Sequence, residues 1–404
     1  MLDLRLHMGK LSKRIENLSE SQTIAMARLS RELKESGQDV ISLSLGEPDF
    51  ITPEVIREGA KKAIDDGFTH YPPIAGFADL KAAIIKKFKV ENNLDFGPEN
   101  IVVSTGAKQS IANVLLSLID PGDEILVPIP YWVSYTQLIN LSEGKPIFIP
   151  SDVEHDYKIT AEQLEKAITP KSKMLIFSSP CNPSGSVYTK EELQAFAAVL
   201  AKHKNIVILS DEIYEHINFS GKHESISQFE ELKDQVVIVN GVSKAYAMTG
   251  WRIGYIGAPS WIADACNKIQ GQFTSAASSI SQKAATSALN DGETFRTEMK
   301  SNFLRRRDLM LDLLREIPGM KLNIPQGAFY IFPDISSYFG KKHNGTVVKN
   351  SSDLCMYILE KGLVGLVPGE AFGEPRCLRI SYAAADEQLV EAAKRIKHCL
   401  AELK

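Results

Sequence analysis

VVIVNGVSKAYAMTGWRIG, residues 236–254, is the stretch on which the fold assignment rests. Its first part, Val236–Val239, is a short apolar run without alternation, which is typical of a strand buried on both faces of a parallel sheet. Lys244 follows this strand closely, and Arg252 lies eight residues further on in a turn flanked by glycines. The stretch therefore predicts a buried strand that delivers a lysine and an arginine to one end of a sheet.

Runs of the same kind recur upstream, at Ile101–Ser104, Glu124–Val127, Met174–Ser178 and Ile206–Leu209. Helical stretches such as Lys190–His203 separate them and would supply the crossovers between parallel strands, so the pattern predicts an α/β fold. Small or polar residues follow the ends of these strands, namely Gly106, Asn182, Asp211, Ser243 and Lys244. Because open α/β sheets bind ligands beyond the carboxyl ends of their strands, we expect one pocket to collect them.

The C-terminal part has a different pattern. A long charged helix is predicted over Glu293–Glu316, followed by strand-like pieces at Ala328–Phe332, Val364–Val367 and Cys377–Ser381. We expect a large domain over residues 49–293, a smaller α+β domain over 294–404, and an N-terminal segment, 1–48, that packs with the small domain.

The composition is that of a globular protein, with 44% hydrophobic and 24% charged residues and a formal net charge of −4. This balance gives no reason to expect a nucleic acid or a membrane as partner. The five cysteines form no CxxC pair and no zinc-like spacing, so no metal site is predicted. The sparse cysteines and the absence of a signal-peptide pattern at the N-terminus predict a cytoplasmic protein.

Lys244 and Arg252 carry the strongest chemical signal. A partly desolvated lysine has a lowered pKa and can form an imine with an aldehyde. The planar fork of Arg252 suits a phosphate. The spacing alone fits equally well with a solvated lysine on a surface loop and an arginine in a surface ion pair.

Two further segments suit the same kind of ligand. Ser104–Gln109 is a strand-to-helix turn in which small residues would let backbone N–H groups approach a phosphate, although an ordinary tight turn has the same pattern. Asp211, at a strand end, could keep a pyridine nitrogen protonated, and Tyr214 could donate to a phenolic oxygen. The alternative for Asp211 is a helix N-cap.

Three other side chains complete the candidate site. Asn182 could contact the same phenolic oxygen or simply form an Asn-Pro turn. Trp132 could stack on a flat ring or pack in the core. Arg379 lies inside an apolar strand and needs an anionic partner, which could be a substrate carboxylate or a structural one.

Taken in order, these motifs resemble the class I/II aminotransferases of pyridoxal-phosphate (PLP) fold type I. The motifs that carry the resemblance span most of the chain and are Gly46-Glu-Pro-Asp49, Tyr71-Pro, Asn182-Pro-x-Gly, Asp211-x-x-Tyr214, Ser243-Lys244, Gly250-x-Arg252-x-Gly254 and Arg379. The segments GEPDF and YWVSY are most similar to the bacterial-type aspartate aminotransferase branch. The resemblance implies a large domain built on a mostly parallel, seven-stranded sheet and a smaller α+β domain.

The resemblance also implies a role for each matching residue. Lys244 would bind the cofactor covalently and then carry the proton, while Asp211 would pair with the ring nitrogen. The remaining cofactor contacts would come from Gly106, Ala107, Lys108, Trp132, Asn182, Tyr214, Ser243 and Arg252. Gly46, Trp132, Asn182, Arg379 and Lys108 would bind the substrate. Tyr71 would reach the phosphate of the neighbouring subunit in a homodimer.

The implied reaction is a ping-pong transfer of an amino group from an L-amino acid to a 2-oxo acid, usually 2-oxoglutarate. Lys108 favours aspartate and glutamate, because the resembling branch uses a lysine there for the distal carboxylate. Aromatic, alanine and prephenate aminotransferases, and PLP-dependent lyases of the same fold, remain alternatives. The chain departs from the family pattern at Cys181, where many relatives have asparagine, and at Gly241, where some have serine.

Overall fold

The computed structural model describes residues 11–19 and 22–404. Its α-helices are α1 (Lys13–Glu16), α2 (Gln22–Glu35), α3 (Glu54–Asp65), α4 (Ala78–Lys87), α5 (Ala107–Leu118), α6 (Ser134–Leu141), α7 (Ala161–Ala167), α8 (Lys190–Leu200), α9 (Ser260–Phe273), α10 (Ser279–Asp291), α11 (Glu293–Arg315), α12 (Ser351–Gly362) and α13 (Asp386–Ala401). Its strands are β1 (Ile41–Ser42), β2 (Ile101–Ser104), β3 (Glu124–Pro128), β4 (Lys145–Ile149), β5 (Ser172–Ser178), β6 (Val207–Asp211), β7 (Val236–Gly241), β8 (Gly254–Gly257), β9 (Tyr330–Ile331), β10 (Lys342–His343), β11 (Thr346–Val347), β12 (Val364–Gly365), β13 (Val367–Pro368) and β14 (Leu378–Ser381).

The central sheet has seven strands in the order β2-β8-β7-β6-β5-β3-β4. Strand β8 runs antiparallel to both of its neighbours, and the other pairs are parallel. The prediction of a mostly parallel, seven-stranded sheet is therefore confirmed. The order places β5, β6 and β7 side by side, so the residues that follow them meet at one edge.

Both faces of this sheet are covered, which explains why its strands are apolar without alternation. On β5, Leu175 and Phe177 belong to one buried cluster, whereas Met174 and Ile176 belong to another on the opposite face. Successive side chains of a strand point to opposite faces, so a strand with helices on both sides needs apolar residues at every position.

The smaller α+β part contains the antiparallel sheet β13-β14-β9 and helices α11, α12 and α13. The N-terminal segment joins it, because β1 pairs in parallel with β12 and Met26 of α2 lies in the same apolar core. These contacts support the division into residues 1–48, 49–293 and 294–404, which we retain as a proposal. Residues 1–10, 20 and 21 of the first segment lie outside the described residues.

Most predicted elements agree with the observed ones to within a few residues. Two strands of the central sheet were missed: β4, an edge strand that begins Lys145-Pro146 and is partly exposed, and β8, which begins and ends with glycine. The single strand predicted over Val364–Val367 is two short strands, because β12 pairs with β1 and β13 pairs with β14.

Within residues 11–19 and 22–404, none of the helices is both long and apolar enough to cross a bilayer. All five cysteines are buried and free.

Candidate active site

A cavity of about 250 Å³ opens beyond the carboxyl ends of β5, β6 and β7. It brings together nearly all the residues predicted from the sequence, namely Gly46, Ala107, Lys108, Trp132, Asn182, Asp211, Tyr214, Ser243, Lys244, Arg252 and Arg379. Distant parts of the chain thus converge on one pocket, as the strand order requires.

Lys244 lies in the turn that follows β7, and its side chain is partly buried in the wall of the cavity. Its Nζ donates a hydrogen bond to the carbonyl of Gly46. Burial lowers the pKa of Lys244 to about 8, against the opposing effect of the Glu47 carboxylate. A lysine with this pKa reaches its neutral, nucleophilic form near physiological pH.

Asp211 ends β6 and is buried. Tyr135 Oη donates to Asp211 Oδ2 at 2.8 Å, and the backbone N–H of Ile213 donates to Oδ1 at 3.3 Å. Burial raises the pKa of Asp211 to about 6, while the Tyr135 hydrogen bond acts in the opposite direction. The carboxylate is thus fixed in direction but forms no ion pair within the described residues, and a protonated ring nitrogen would provide a cationic partner.

The turn between β2 and α5 is built for close approach. Gly106 has φ +82°, and a Cβ placed on it would lie 2.2 Å from Arg252 Nη2. A Cβ on Gly254 would lie 2.2 Å from the backbone nitrogen of Ala107. Arg252 is held over this turn by a 2.9 Å hydrogen bond from Nη1 to the Thr249 carbonyl. The N-terminus of α5 and the guanidinium together form a cradle suited to a phosphate.

Arg379 is the largest fully buried charged side chain of the site and lies on β14. Its Nη1 donates to Asn182 Oδ1 at 2.9 Å and its Nη2 to the Ser44 carbonyl at 2.7 Å. Neither partner is an anion, and its buried Nε has no hydrogen-bond partner in the described part of the chain. A guanidinium with no carboxylate partner, in the wall of a cavity, is suited to bind the carboxylate of a ligand.

The loop that carries Gly46 is anchored to α11. Arg306 forms a two-pronged ion pair with Asp49, with Nη–Oδ distances of 2.7 and 2.9 Å, and its guanidinium lies 5.3 Å from the Phe50 ring centroid. Such bidentate pairs fix geometry as well as charge. The GEPDF motif thus holds the Gly46 carbonyl where Lys244 meets it.

Lys108 and Trp132 form one side of the cavity. Lys108 Nζ lies 5.1 Å from the Trp132 ring centroid. Burial, and secondarily the nearby Arg252, lowers the pKa of Lys108. A cation near the mouth of the pocket could pair with a second acidic group on a ligand.

Two predicted residues do not line the cavity. Gly106 lies beneath Arg252 and acts through the backbone, as described above. Tyr71 is 95% exposed. The position of Tyr71 therefore gives it no contact with the cavity of its own chain.

Tyr330, Tyr135 and Thr23 are among the residues in or beside the site that the sequence did not single out. Tyr330 lines the cavity and its hydroxyl lies 2.7 Å from that of Tyr214. Tyr135 holds Asp211, and Thr23 of α2 reaches the cavity from the N-terminal segment. Tyr135 is the last residue of the YWVSY segment, which the sequence analysis identified as a family motif. Tyr330 and Thr23 lie in segments without a motif.

Comparison with known proteins agrees with this geometry. The sequence profile of the family described as aminotransferase class I and II matches residues 38–396. The chain is 46% identical over 400 residues to a bifunctional aspartate aminotransferase and glutamate/aspartate-prephenate aminotransferase of Petunia hybrida, covering 98% of this chain and 83% of that protein. It is 46% identical over 395 residues to an aspartate/prephenate aminotransferase of Nitrosomonas europaea, covering 97% and 100%.

Solved structures give the same result. The aspartate aminotransferase of Rhizobium meliloti superposes with a TM-score of 0.94 at 41% identity. The superposition covers 98% of this chain and 100% of that one. The Thermus thermophilus aspartate aminotransferase with maleate gives 0.91 at 36% identity, covering 97% and 100%. From its sequence, its fold and the residues gathered in its cavity, the chain belongs to the class I and II aminotransferases.

Proposed function

We propose that this aminotransferase transfers an amino group between L-aspartate and 2-oxoglutarate, with PLP bound to Lys244. The observation that carries the proposal is the convergence, in one cavity, of a lysine with a lowered pKa, a buried carboxylate and an arginine that has no acidic partner among the described residues. Each of these features costs stability, and each matches one group of a PLP–amino acid pair: Asp211 a protonated ring nitrogen, Arg379 a carboxylate and Lys244 the aldehyde carbon.

The residues present fit the cofactor. Gly106, Ala107, Ser243 and Arg252 would hold its phosphate, because the turn leaves no room for a side chain beneath Arg252. Asp211 would hold its ring nitrogen. Asn182 and Tyr214 would contact its phenolic oxygen, and Trp132 would cover its ring.

Bound PLP supplies an electron sink for the bond to hydrogen at the substrate Cα. Asp211, kept ionised by the hydrogen bond from Tyr135, would hold the proton on the ring nitrogen. Arg379 would bind the α-carboxylate and so fix which bond of Cα faces Lys244. Lys244, neutral for part of the time because of its lowered pKa, would accept the Cα proton and return it at the neighbouring carbon.

The N-terminal segment would help to exclude water. Thr23 and Ile24 line the cavity, and the backbone N–H of Ser19 donates to Gln137 on α6 at 3.2 Å. The segment thus bridges the smaller domain and the large one across the mouth of the pocket.

Aspartate is proposed because of Lys108 and because of the relatives. Lys108 lines the cavity and could pair with a distal carboxylate. The solved relatives described above are aspartate aminotransferases, and the Thermus thermophilus enzyme is described with maleate, a dicarboxylate. A second candidate substrate is prephenate, which also carries two carboxylates and appears in the names of the Petunia and Nitrosomonas relatives.

We also propose that the enzyme is a cytoplasmic homodimer in which Tyr71 completes the neighbouring site. The 95% exposure of this tyrosine supports the proposal, because an aromatic side chain projecting into solvent is free to enter a second subunit. Mixing Lys244→Ala subunits, which we expect to be inactive, with Tyr71→Phe subunits, which we expect to be weakened, tests it, since hybrid dimers would regain one intact site and exceed the activity of both parents.

A panel of amino donors with 2-oxoglutarate tests the substrate assignment. We expect aspartate to give the highest kcat/KM among the proteinogenic amino acids, with prephenate tested in parallel as acceptor. A clear preference for an aromatic amino acid or alanine would refute the assignment, and C–S cleavage or decarboxylation without amino transfer would point to a lyase.

A further inference from the structure

Tyr330 lies between Arg379, which would bind the substrate carboxylate, and Tyr214, which would contact the phenolic oxygen of the cofactor. Its hydroxyl oxygen is 2.7 Å from that of Tyr214. The Arg379 guanidinium lies 4.5 Å from the centroid of its ring, and a Cβ placed on Gly46 would come within 2.6 Å of its Oη. The side chain is fully buried, with 0% of its surface exposed.

The two hydroxyls share one hydrogen bond, and in the described part of the chain neither has another hydrogen-bond partner. Each hydroxyl carries one proton. One of these two protons forms the hydrogen bond between the tyrosines, and the other can be donated to a different acceptor. Tyr330 Oη is closed in by Gly46, whereas Tyr214 retains 4% exposure at the cavity. Because Tyr330 has no exposed surface and Tyr214 is its only hydrogen-bond partner among the described residues, donation to Tyr214 satisfies the proton of Tyr330 and leaves the proton of Tyr214 for the cavity.

The neighbouring cation favours the same direction. Arg379 stacks on Tyr330, and a positive charge close to a phenol makes its O–H a better donor. With Tyr330 as donor, the oxygen of Tyr214 is occupied on that side and its own proton is directed into the cavity.

We infer that Tyr330 is a positioning residue, which orients the hydroxyl of Tyr214 so that Tyr214 donates to the phenolic oxygen of PLP. The inference rests on the proposed function, since it needs PLP in this cavity. It adds Tyr330 to the residues of the proposed mechanism, as one that acts on the cofactor only through Tyr214.

PLP bound to Lys244 forms a chromophore whose absorption reports on this hydrogen bond in the substrate-free enzyme. A hydrogen bond donated to the charged phenolate stabilises the deprotonated form and lowers the pKa of the chromophore. In Tyr330→Phe the ring beneath Arg379 stays but the orienting proton is lost. We expect that pKa to rise by about 0.5 to 1, kcat to fall about fivefold to tenfold, and KM for the amino donor to change little.

Two variants separate this role from a general loss of packing. Tyr382→Phe is the matched control, because Tyr382 is also fully buried and donates one hydrogen bond, to the Ala328 carbonyl at 3.1 Å. We expect it to leave the chromophore pKa unchanged. Gly46→Ala would push the Tyr330 hydroxyl aside with the tyrosine intact, and we expect it to raise the chromophore pKa as Tyr330→Phe does.

The decisive comparison is made in the Tyr214→Phe background. If Tyr330 acts through Tyr214, adding Tyr330→Phe produces no further change in the chromophore pKa. An equal change in both backgrounds, or no change in the wild-type background, would overturn the inference while leaving the proposed function intact. A wild-type protein that forms no chromophore with PLP would overturn both.

Discussion

Tyr135 Oη donates a 2.8 Å hydrogen bond to Asp211 Oδ2 in the interior of the protein. This bond favours the ionised form of a carboxylate whose pKa burial has raised to about 6. Tyr135→Phe removes the donor, so the pKa of Asp211 should rise further. In the proposed mechanism Asp211 holds the ring-nitrogen proton only when ionised, so we expect kcat/KM to fall as the pH drops through this pKa.

We therefore expect the acid limb of the kcat/KM profile to move to higher pH in Tyr135→Phe, with kcat about tenfold lower at neutral pH. Tyr131→Phe, four positions earlier on the same segment, is the control and should keep the wild-type profile. An unshifted acid limb in Tyr135→Phe would show that the bond does not govern the charge of Asp211.

Gly106 allows a second test, because its substitution pushes directly on the phosphate cradle. Gly106→Ala places a Cβ 2.2 Å from Arg252 Nη2, at a backbone φ of +82°. Displacing the guanidinium should raise the Kd for PLP by about tenfold to a hundredfold, as expected for the loss of a charge-assisted hydrogen bond.

Gly122→Ala is a matched control for this variant. It has a similar φ, +93°, but no atom within 4 Å of the added Cβ. Both variants should lose about 1 kcal/mol of unfolding free energy from backbone strain, and only Gly106→Ala should lose PLP affinity. Equal PLP affinities, measured by fluorescence titration, would refute the cradle.

The sequence predicted the positions of the catalytic candidates well because each follows a buried strand. Val236–Val239 and Ile206–Leu209 are apolar at every position, and their ends indicated where Lys244 and Asp211 would meet. The edge strand β4 escaped because one face is partly exposed and it contains Pro146. The hydrophobic pattern of a strand, whether buried or at an edge, carries no information on the hydrogen-bond partners of its side chains.

The contacts that tune the site were beyond sequence reasoning for that reason. Tyr330 is 116 positions from Tyr214 along the chain, and Arg306 is 257 positions from Asp49. Such pairs form only when the smaller domain packs on the large one. Arg305, Arg306 and Arg307 follow one another on α11, and no pattern in the sequence indicates that Arg306 is the most buried of the three.

Arg379 is expected to determine the affinity for the α-carboxylate. Arg379→Ala should raise KM for amino and oxo acids, with a loss in kcat/KM of about tenfold to a hundredfold. Arg379→Lys should recover part of this loss, since it restores the charge without the fork. Arg395→Ala, which removes an arginine paired with Asp39 and Glu391, is the control. Unchanged KM values in Arg379→Ala would mean that Arg379 only braces Asn182 and Ser44.

Lys108 is expected to select for dicarboxylic substrates. In Lys108→Ala, kcat/KM for aspartate and glutamate should fall by about tenfold, while monocarboxylic amino acids should change by about twofold or less. Burial lowers the pKa of this lysine, so Lys108 loses its charge as the pH rises. We expect the preference for aspartate to be lost on raising the pH, and to be lost earlier than it would be with a lysine of ordinary pKa. Lys145→Ala, at an exposed position on β4, is the control. Equal losses for both substrate classes would remove the ground for aspartate.

The most direct test concerns the bond between the protein and its cofactor. The purified enzyme would be treated with borohydride, digested and mapped by mass spectrometry. We predict a pyridoxyl group on the peptide that contains Lys244, and none in Lys244→Ala protein that is folded by its melting curve. A peptide map with Lys244 unlabelled, or with the label on another lysine, would contradict the assignment of the active site.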